Sequence, residues 1–265
     1  MHMRMSRVLQ KLRAGDAAFS FKLNLTCARA AEIAAFKGFD CIWVDMEHTA
    51  CDWSVVEQQI YASKVHDADV MVRVSRGGYS DYIRPLELDA AGILVPHIQS
   101  VQDARDVARM TRFHPVGRRP VDSGNADGAY CNVPYLEYLH DANEKRFVGV
   151  QIEDPEPLDE VEEIARVEGI DIIYFGPADF GHGIGAPGDP KNPRLIDARK
   201  RVADAALAAG KFAGTTAVPD TVEDILALGY RFVNVGADVL GLSTYCDDCV
   251  AAAKAARDRV VGGAG

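Results

Sequence analysis

Four short apolar runs in this chain end in side chains that can do chemistry. Cys41-Ile42-Trp43-Val44 passes into Asp45-Met46-Glu47-His48, and Met71-Val72-Arg73-Val74 carries an Arg within it. Val148-Gly149-Val150 leads to Gln151-Ile152-Glu153-Asp154, and Ile172-Ile173-Tyr174-Phe175 leads to Gly176-Pro177-Ala178-Asp179. Charge inside an apolar run is costly unless it is paired or coordinates a metal. Glu153 and Asp179 offer hard oxygen donors for a divalent cation that keeps several waters and an open position. Arg73 is a fixed cation for a developing oxyanion, and His48 is a proton acceptor near neutral pH. A metal, an oxyanion stabiliser and a base together suit removal of a proton beside a carbonyl. Each residue also has a structural use: Asp154 ahead of Pro155 can cap a helix, and an Arg can neutralise a neighbouring acid. What favours chemistry is that all of them fall at the same end of successive apolar runs.

Those runs recur eight times. The predicted strands are Phe19–Leu25, Cys41–Glu47, Asp69–Ser75, Gly92–Ile98, Phe147–Glu153, Asp171–Pro177, Lys211–Ala217 and Phe232–Asp238. Helical patterns lie between them at Ala28–Gly38, Trp53–Val65, Tyr79–Leu88, Val101–Arg112, Pro155–Val167, Pro193–Ala209 and Pro219–Leu228, with Leu240–Val260 last. Gly38, Gly169, Gly210 and Gly229 each close a helical pattern, where a C-terminal Gly is favoured. Alternation of this kind implies right-handed crossovers and a parallel sheet covered by helices. Eight units in 265 residues predict a single α/β domain over residues 1–265, a (β/α)8 TIM barrel, with a doubly wound open sheet as the rival. Two connections exceed the usual length: residues 113–146 after strand 4, with a possible helix from Pro134, and Gly176–Asn192 after strand 6. In such a barrel the βα loops converge at the carboxyl ends of the strands, which is where the polar residues fall.

Composition narrows the partners. Lys plus Arg number 29 against 39 Asp plus Glu, a net charge of -10, which repels phosphate backbones and argues against nucleic acid. Met1 to Gly15 is basic but lacks an apolar core long enough for an export signal, and no stretch approaches ~20 apolar residues, so neither export nor a membrane span is expected. The six Cys fit a reducing cytoplasm, and Cys246-x-x-Cys249 sits late in an Ala-rich helix, where two reduced thiols are expected rather than a redox pair. Gly183-x-Gly185-x-x-Gly188 has the dinucleotide spacing, but Pro187 and Pro190 stand where a helix should start, so it reads as a glycine-rich lid.

At the polar residues the chain resembles the HpcH/HpaI aldolase/citrate lyase family, the metal-dependent class II pyruvate aldolases. The resemblance runs in order through Gly38-Phe39-Asp40, Asp45-x-Glu47-His48, Val72-Arg73, Leu94-Val95-Pro96, Thr111-Arg112-Phe113, Val150-Gln151-Ile152-Glu153, Val167-Glu168-Gly169-Ile170-Asp171, Gly176-Pro177-Ala178-Asp179 and Val235-Gly236-x-Asp238. The Gln-x-Glu and Gly-Pro-Ala-Asp pair is its most specific part. It implies that Glu153 and Asp179 hold Mg²⁺, Mn²⁺ or Co²⁺, and that pyruvate binds through its carboxylate and keto oxygens. The backbone donors of Ala178 and Asp179 would receive the carboxylate and Gln151 would contact substrate. His48 would transfer protons, Arg73 would stabilise the enolate, and Asp45 and Glu47 would order water around the metal. The implied reaction cleaves a 4-hydroxy-2-oxo acid to pyruvate and an aldehyde, with no Schiff-base Lys or organic cofactor. The resemblance also implies a homo-oligomer, a hexamer built from dimers that exchange a C-terminal helix.

The departures from that pattern carry expectations of their own. Glu87 stands where the family pairs an Asp with its His, with Asp89 nearby; late in a helix, it would have to reach His48 of a neighbouring subunit. Lys22 replaces an aromatic, Thr215-Thr216 bulky aliphatics and Asn234 a small apolar residue. Ser20, Lys22 and Asn24 share one strand face, and if it lines the lumen, Lys22 pairs with Asp45 or Glu47 rather than forming a Schiff base. Pro120-Val121-Asp122 and Phe180-Gly181-His182 also depart from the pattern. These changes leave pyruvate handling intact and predict an aldehyde acceptor more polar or acidic than a simple aliphatic one. Two alternatives stand beside the aldolase: a CoA-thioester lyase of malyl or citramalyl type, and a non-catalytic oxo-acid-binding barrel.

Overall fold

The computed structural model describes residues 2–261. Eight strands close into a parallel barrel in sequence order: β1 (Ala18–Leu23), β2 (Cys41–Asp45), β3 (Asp69–Arg73), β4 (Gly92–Val95), β5 (Phe147–Ile152), β6 (Ile172–Phe175), β7 (Phe212–Ala217) and β8 (Phe232–Ala237). The open-sheet rival is thereby excluded. Around them run α1 (Arg7–Arg13), α2 (Ala28–Phe36), α3 (Trp53–Lys64), α4 (Tyr79–Glu87), α5 (Val101–Thr111), α6 (Tyr135–Lys145), α7 (Val161–Ala165), α8 (Pro177–Gly183), α9 (Pro193–Ala208), α10 (Val222–Ala227) and α11 (Asp238–Val260). The predicted strands all form, each shorter by one to three residues. Sequence patterning overruns because the polar residues that extend each run have already left the ladder for the loops above it.

Two apolar layers enclose the strands. Ile42, Val44, Val70, Val72, Ile93, Val95, Val148, Val150 and Ile173 point outward into one core shared with the helices. The alternate residues point inward: Cys41, Trp43, Met71, Leu94, Phe147, Ile172, Tyr174 and Phe232 fill the lumen. The amino end of the lumen is plugged by α1, whose Val8, Leu9 and Leu12 join this inner cluster. Buried acids at the starts of β2 and β3 anchor that plug. Asp69 Oδ2 accepts from Ser6 Oγ at 2.6 Å and Val8 N at 2.9 Å, and Asp40 takes Arg7 at 2.9 Å and Lys11 at 3.0 Å.

The two long connections differ from expectation. The residues after strand 4 first form α5; the irregular part, 112–134, follows that helix and so lies at the amino ends of the strands, away from the end where the polar residues fall. It folds onto α6 around Phe113, Val133, Tyr138 and Ala142, with Arg119 on Asp127 at 2.8 Å and Tyr138 Oη donating to Asp127 at 2.9 Å. The segment after β6 begins with helix α8, and only residues 184–192 remain as turns. No helix among the described residues is long and apolar enough to cross a membrane.

Candidate active site

At the carboxyl end of the lumen the inward faces turn from apolar to charged. Lys22, Asp45, Arg73, Gln151 and Glu153 continue the inward rows of β1, β2, β3 and β5, above a floor made by Trp43 and Tyr174. Those two rings meet edge-on at 5.5 Å. Arg73 Cζ lies 5.0 Å and Lys22 Nζ 5.6 Å from the centre of the Trp43 ring, so both cations rest on an aromatic face.

Arg73 is fixed by a two-pronged contact with Asp45. Its Nε donates to Oδ1 at 3.0 Å and its Nη2 to Oδ2 at 2.6 Å, between side chains that are both buried. Lys22 Nζ joins Oδ2 at 2.9 Å, as expected from its strand face. Burial alone would raise the Asp45 pKa, but the hydrogen bonds and charges of Arg73 and Lys22 overcome it and hold the carboxyl at about 2. Both Asp45 oxygens are therefore engaged by cations. Arg73 Nε also lies 3.1 Å from Glu47 Oε2, leaving the guanidinium immobile at the rim.

A second cluster gathers opposite. Glu47 Oε1, His97 Nε2 and a Glu153 carboxylate oxygen lie within 4.8 Å of one another. Glu153 is buried, accepts from the His97 backbone N–H at 2.9 Å through Oε1, and accepts from Gln151 Nε2 at 2.6 Å through Oε2. Burial pushes its pKa up and the charges of Glu47 and Asp179 add to that against His97, bringing it to about 7. Gly176 makes the Gln151–Glu153 pair possible: a Cβ there would fall 2.6 Å from Glu153 Oε2 and 2.7 Å from Gln151 Nε2. Glu47, Asp154, Glu153 and Asp179 outnumber the cations not already engaged by Asp45, and Gln151 Oε1 is buried without a hydrogen-bond partner. This donor set fits a divalent cation.

The residues expected from sequence are distributed as follows. Arg73, Gln151 and Glu153 come together at the lumen mouth. Asp179 and Ala178 lie exposed in the first turn of α8, whose early amides have no acceptor within the helix, and Asp179 is near enough for its charge to act on Glu153. His48 stands at the rim with its side chain 56% exposed, its Nε2 3.5 Å from Glu47 Oε2. Glu87 lies at the end of α4 and makes no side-chain hydrogen bond among the described residues; it is half-buried near Arg119 and Asp127. Burial pushes its pKa up, and Asp127 and Asp122 add to this against Arg119 and Arg84. Within one chain it does not contact His48. Asp89 is buried in contacts with Lys64 and Arg146 and has no part in the mouth. Of the substituted positions, Asn234 accepts from Ser20 Oγ at 3.2 Å, and Thr215 donates to the Phe175 carbonyl at 2.9 Å.

His97 is the member that sequence reasoning missed. It follows Leu94-Val95-Pro96, and the whole run to Ile98 reads as a strand, yet the strand ends at Val95 and His97 turns left-handed at φ 49°. Its Nδ1 lies 2.9 Å from Asp154 Oδ2. Asp154 thus orients a ring rather than capping the next helix, where no side-chain cap bond forms. A polar residue in an apolar run is the signal that singled out Arg73, and it was present here too.

The sequence profile of the HpcH/HpaI aldolase/citrate lyase family matches residues 21–243. The chain is 33% identical over 253 residues to the 2-keto-3-deoxy-L-rhamnonate aldolase of Shigella sonnei, covering 94% of this chain and 93% of that protein. It is 33% identical over 239 residues to the hydroxypyruvate/pyruvate aldolase of Pseudomonas aeruginosa, covering 90% and 89%. Among solved structures, an HpcH/HpaI aldolase from Desulfitobacterium hafniense superposes with a TM-score of 0.89 at 26% identity, covering 95% of this chain and 97% of that one.

Proposed function

The chain belongs to the HpcH/HpaI aldolase/citrate lyase family and is a carbon–carbon lyase, and from that premise we propose that it cleaves a 4-hydroxy-2-oxo acid to pyruvate and an aldehyde with the help of a divalent cation. The names of its relatives, one for pyruvate and one for a 2-keto-3-deoxy sugar acid, support the oxo-acid half. The observation that carries the reading is the single mouth shared by an immobilised guanidinium, Arg73 on Asp45, and an acid cluster around Glu153.

In this reading Glu153 and Asp179 hold Mg²⁺, Mn²⁺ or Co²⁺. The bound cation supplies Lewis acidity at the keto oxygen of the oxo acid. The amides of Ala178 and Asp179 receive the substrate carboxylate and Gln151 positions it. His48 takes the proton from the C4 hydroxyl as the C3–C4 bond breaks and the aldehyde leaves. The electrons of that bond form the pyruvate enolate, whose oxygen faces Arg73, and C3 is then protonated to give pyruvate. Arg73 needs no reorganisation for this, since Asp45 already fixes it. The subunits assemble as hexamers, trimers of dimers, the location is cytoplasmic, and neither nucleic acid nor membrane is a partner.

Incubating the protein with Mn²⁺ and pyruvate in D₂O tests the reaction. The methyl protons should exchange, and EDTA or Glu153→Gln should stop the exchange. A barrel that only binds oxo acids would leave the methyl signal intact. Cleavage of malyl-CoA or citramalyl-CoA without retro-aldol activity on free 4-hydroxy-2-oxo acids would replace this reading with the thioester lyase.

A further inference from the structure

The geometry points to His97 Nε2 as a third protein ligand of the divalent cation, with Asp154 as the residue that positions it. The inference rests on the assignment of a cation to Glu153 and Asp179. Its first support is the direction of the ring. Asp154 Oδ2 accepts from His97 Nδ1 at 2.9 Å and from Gln99 Nε2 at 2.5 Å. A carboxylate on one ring nitrogen fixes the tautomer and leaves the lone pair of the other free, which is the usual arrangement behind a metal-bound imidazole. That free nitrogen, Nε2, faces Glu47 Oε1 at 3.6 Å and Glu153 Oε1 at 3.7 Å. These separations are too long for hydrogen bonds. They suit donors that share an ion, because ligands ~2.1 Å from a cation lie about 3 Å apart at right angles and about 4 Å apart across it.

The second support is the backbone. A left-handed residue other than Gly is uncommon and persists where its surroundings over-determine it. At His97 they do. Its N–H donates to Glu153 Oε1 at 2.9 Å, while its carbonyl accepts from Gln99 Nε2 at 3.2 Å and from Arg76. Arg76 is itself held by Asp103 at 2.8 Å. The turn places the ring over the acids instead of out toward solvent.

The third support is independent of His97. Gln151 is only 3% exposed, and its Oε1 has no partner although its Nε2 is bound to Glu153. A buried acceptor without a donor is costly unless a ligand or an ordered water satisfies it. Its place on the inward face beside Glu153 puts that missing partner at the same cluster. An imidazole among carboxylates also shifts metal preference away from Mg²⁺ toward Co²⁺ or Zn²⁺.

Pulsed electron paramagnetic resonance of the full-length protein loaded with Mn²⁺ tests the assignment, together with equilibrium dialysis of Mn²⁺. The wild type should show coupling of the ion to a nitrogen nucleus. His97→Asn, chosen because Asn tolerates the left-handed backbone, should lose the coupling and weaken Mn²⁺ binding about 10–100-fold. Asp154→Asn should keep His97 but weaken binding about tenfold. His48→Gln should leave the coupling in place. Melting curves establish that each variant is folded, and the wild-type spectrum stands without any of them. Bound Mn²⁺ with no nitrogen coupling overturns the role of His97 and leaves the cation site standing, as does coupling lost in His48→Gln and kept in His97→Asn. Failure of the wild type to bind Mn²⁺ at all overturns both.

Discussion

Lys22 Nζ lies 2.9 Å from Asp45 Oδ2, the oxygen that also takes Arg73 Nη2 at 2.6 Å. One buried carboxylate thus binds together a strand-1 cation and the cation expected to face the enolate. Lys22 is held to this carboxylate by one contact and Arg73 by two prongs, so Lys22 is the cation expected to turn toward an incoming aldehyde. Lys22→Met should lower kcat/KM for a carboxylated semialdehyde with pyruvate about tenfold, equivalent to about 1.4 kcal/mol, while propanal changes little. An equal loss for both aldehydes, or better turnover of propanal than of the semialdehyde by the wild type, would remove Lys22 from acceptor recognition.

Asp45 also sets an acid limit on stability. Its folded pKa, about 2, lies below the ordinary 3.8. A depressed carboxyl stabilises the fold at pH values above the unfolded pKa, and the benefit is lost as pH falls through the folded one. The contribution is about 2 kcal/mol. Asp45→Asn should therefore be less stable than the wild type at pH 6 in urea unfolding, by about 3 kcal/mol because two cations lose their partner. The gap should narrow steadily between pH 4 and pH 2. A gap independent of pH would mean that the loss is one of packing.

Glu87 reaches no His48 within its own chain, yet its end of α4 lies beside the irregular 112–134 segment, where a second subunit could meet it. If Glu87 supports the partner's His48, His48→Gln and Glu87→Gln should each be nearly inactive. Dissociating and reassociating a mixture of the two should restore activity, because some hybrid sites receive both wild-type residues. Mixtures as inactive as their parents would assign Glu87 a structural role beside Arg119.

Helix α11 has no buried residue along Asp238–Val260, and Leu240, Leu242, Tyr245 and Val250 are all exposed on it. Those exposed apolar side chains would be covered if subunits exchange this helix, as the resemblance implies. Sedimentation velocity of the full chain should show a hexamer, and truncation after Ala237 should abolish it. A monodisperse monomer of the full chain would contradict the exchange.

Much of this architecture was legible because strands of a parallel barrel are buried on both faces and so read as continuous apolar runs. Val70-Met71-Val72 and Val148-Gly149-Val150 are such runs, and the charged residues just beyond them mark the mouth. What stayed hidden was conformation rather than composition. Helix α8 is short and opens with Gly176-Pro177, so its sequence looks like a loop, although Pro at the first helical position is well suited to it. Helix α1 reads from sequence only as a basic terminus, because its burial depends on Asp40 and Asp69, which lie far along the chain. His97 escaped because a single left-handed residue redirects its ring, and no spacing rule announces that. Its partner Asp154 is 57 residues away, and their meeting is a product of barrel closure.

The most direct test of the account is anomalous diffraction from crystals soaked in Mn²⁺ and oxalate, an analogue of the pyruvate enolate. The account predicts one strong peak within bonding distance of the Glu153 and Asp179 carboxylates, with oxalate chelating it on the side that faces Arg73. A peak at another place, or oxalate bound with no metal between those two acids, would contradict it.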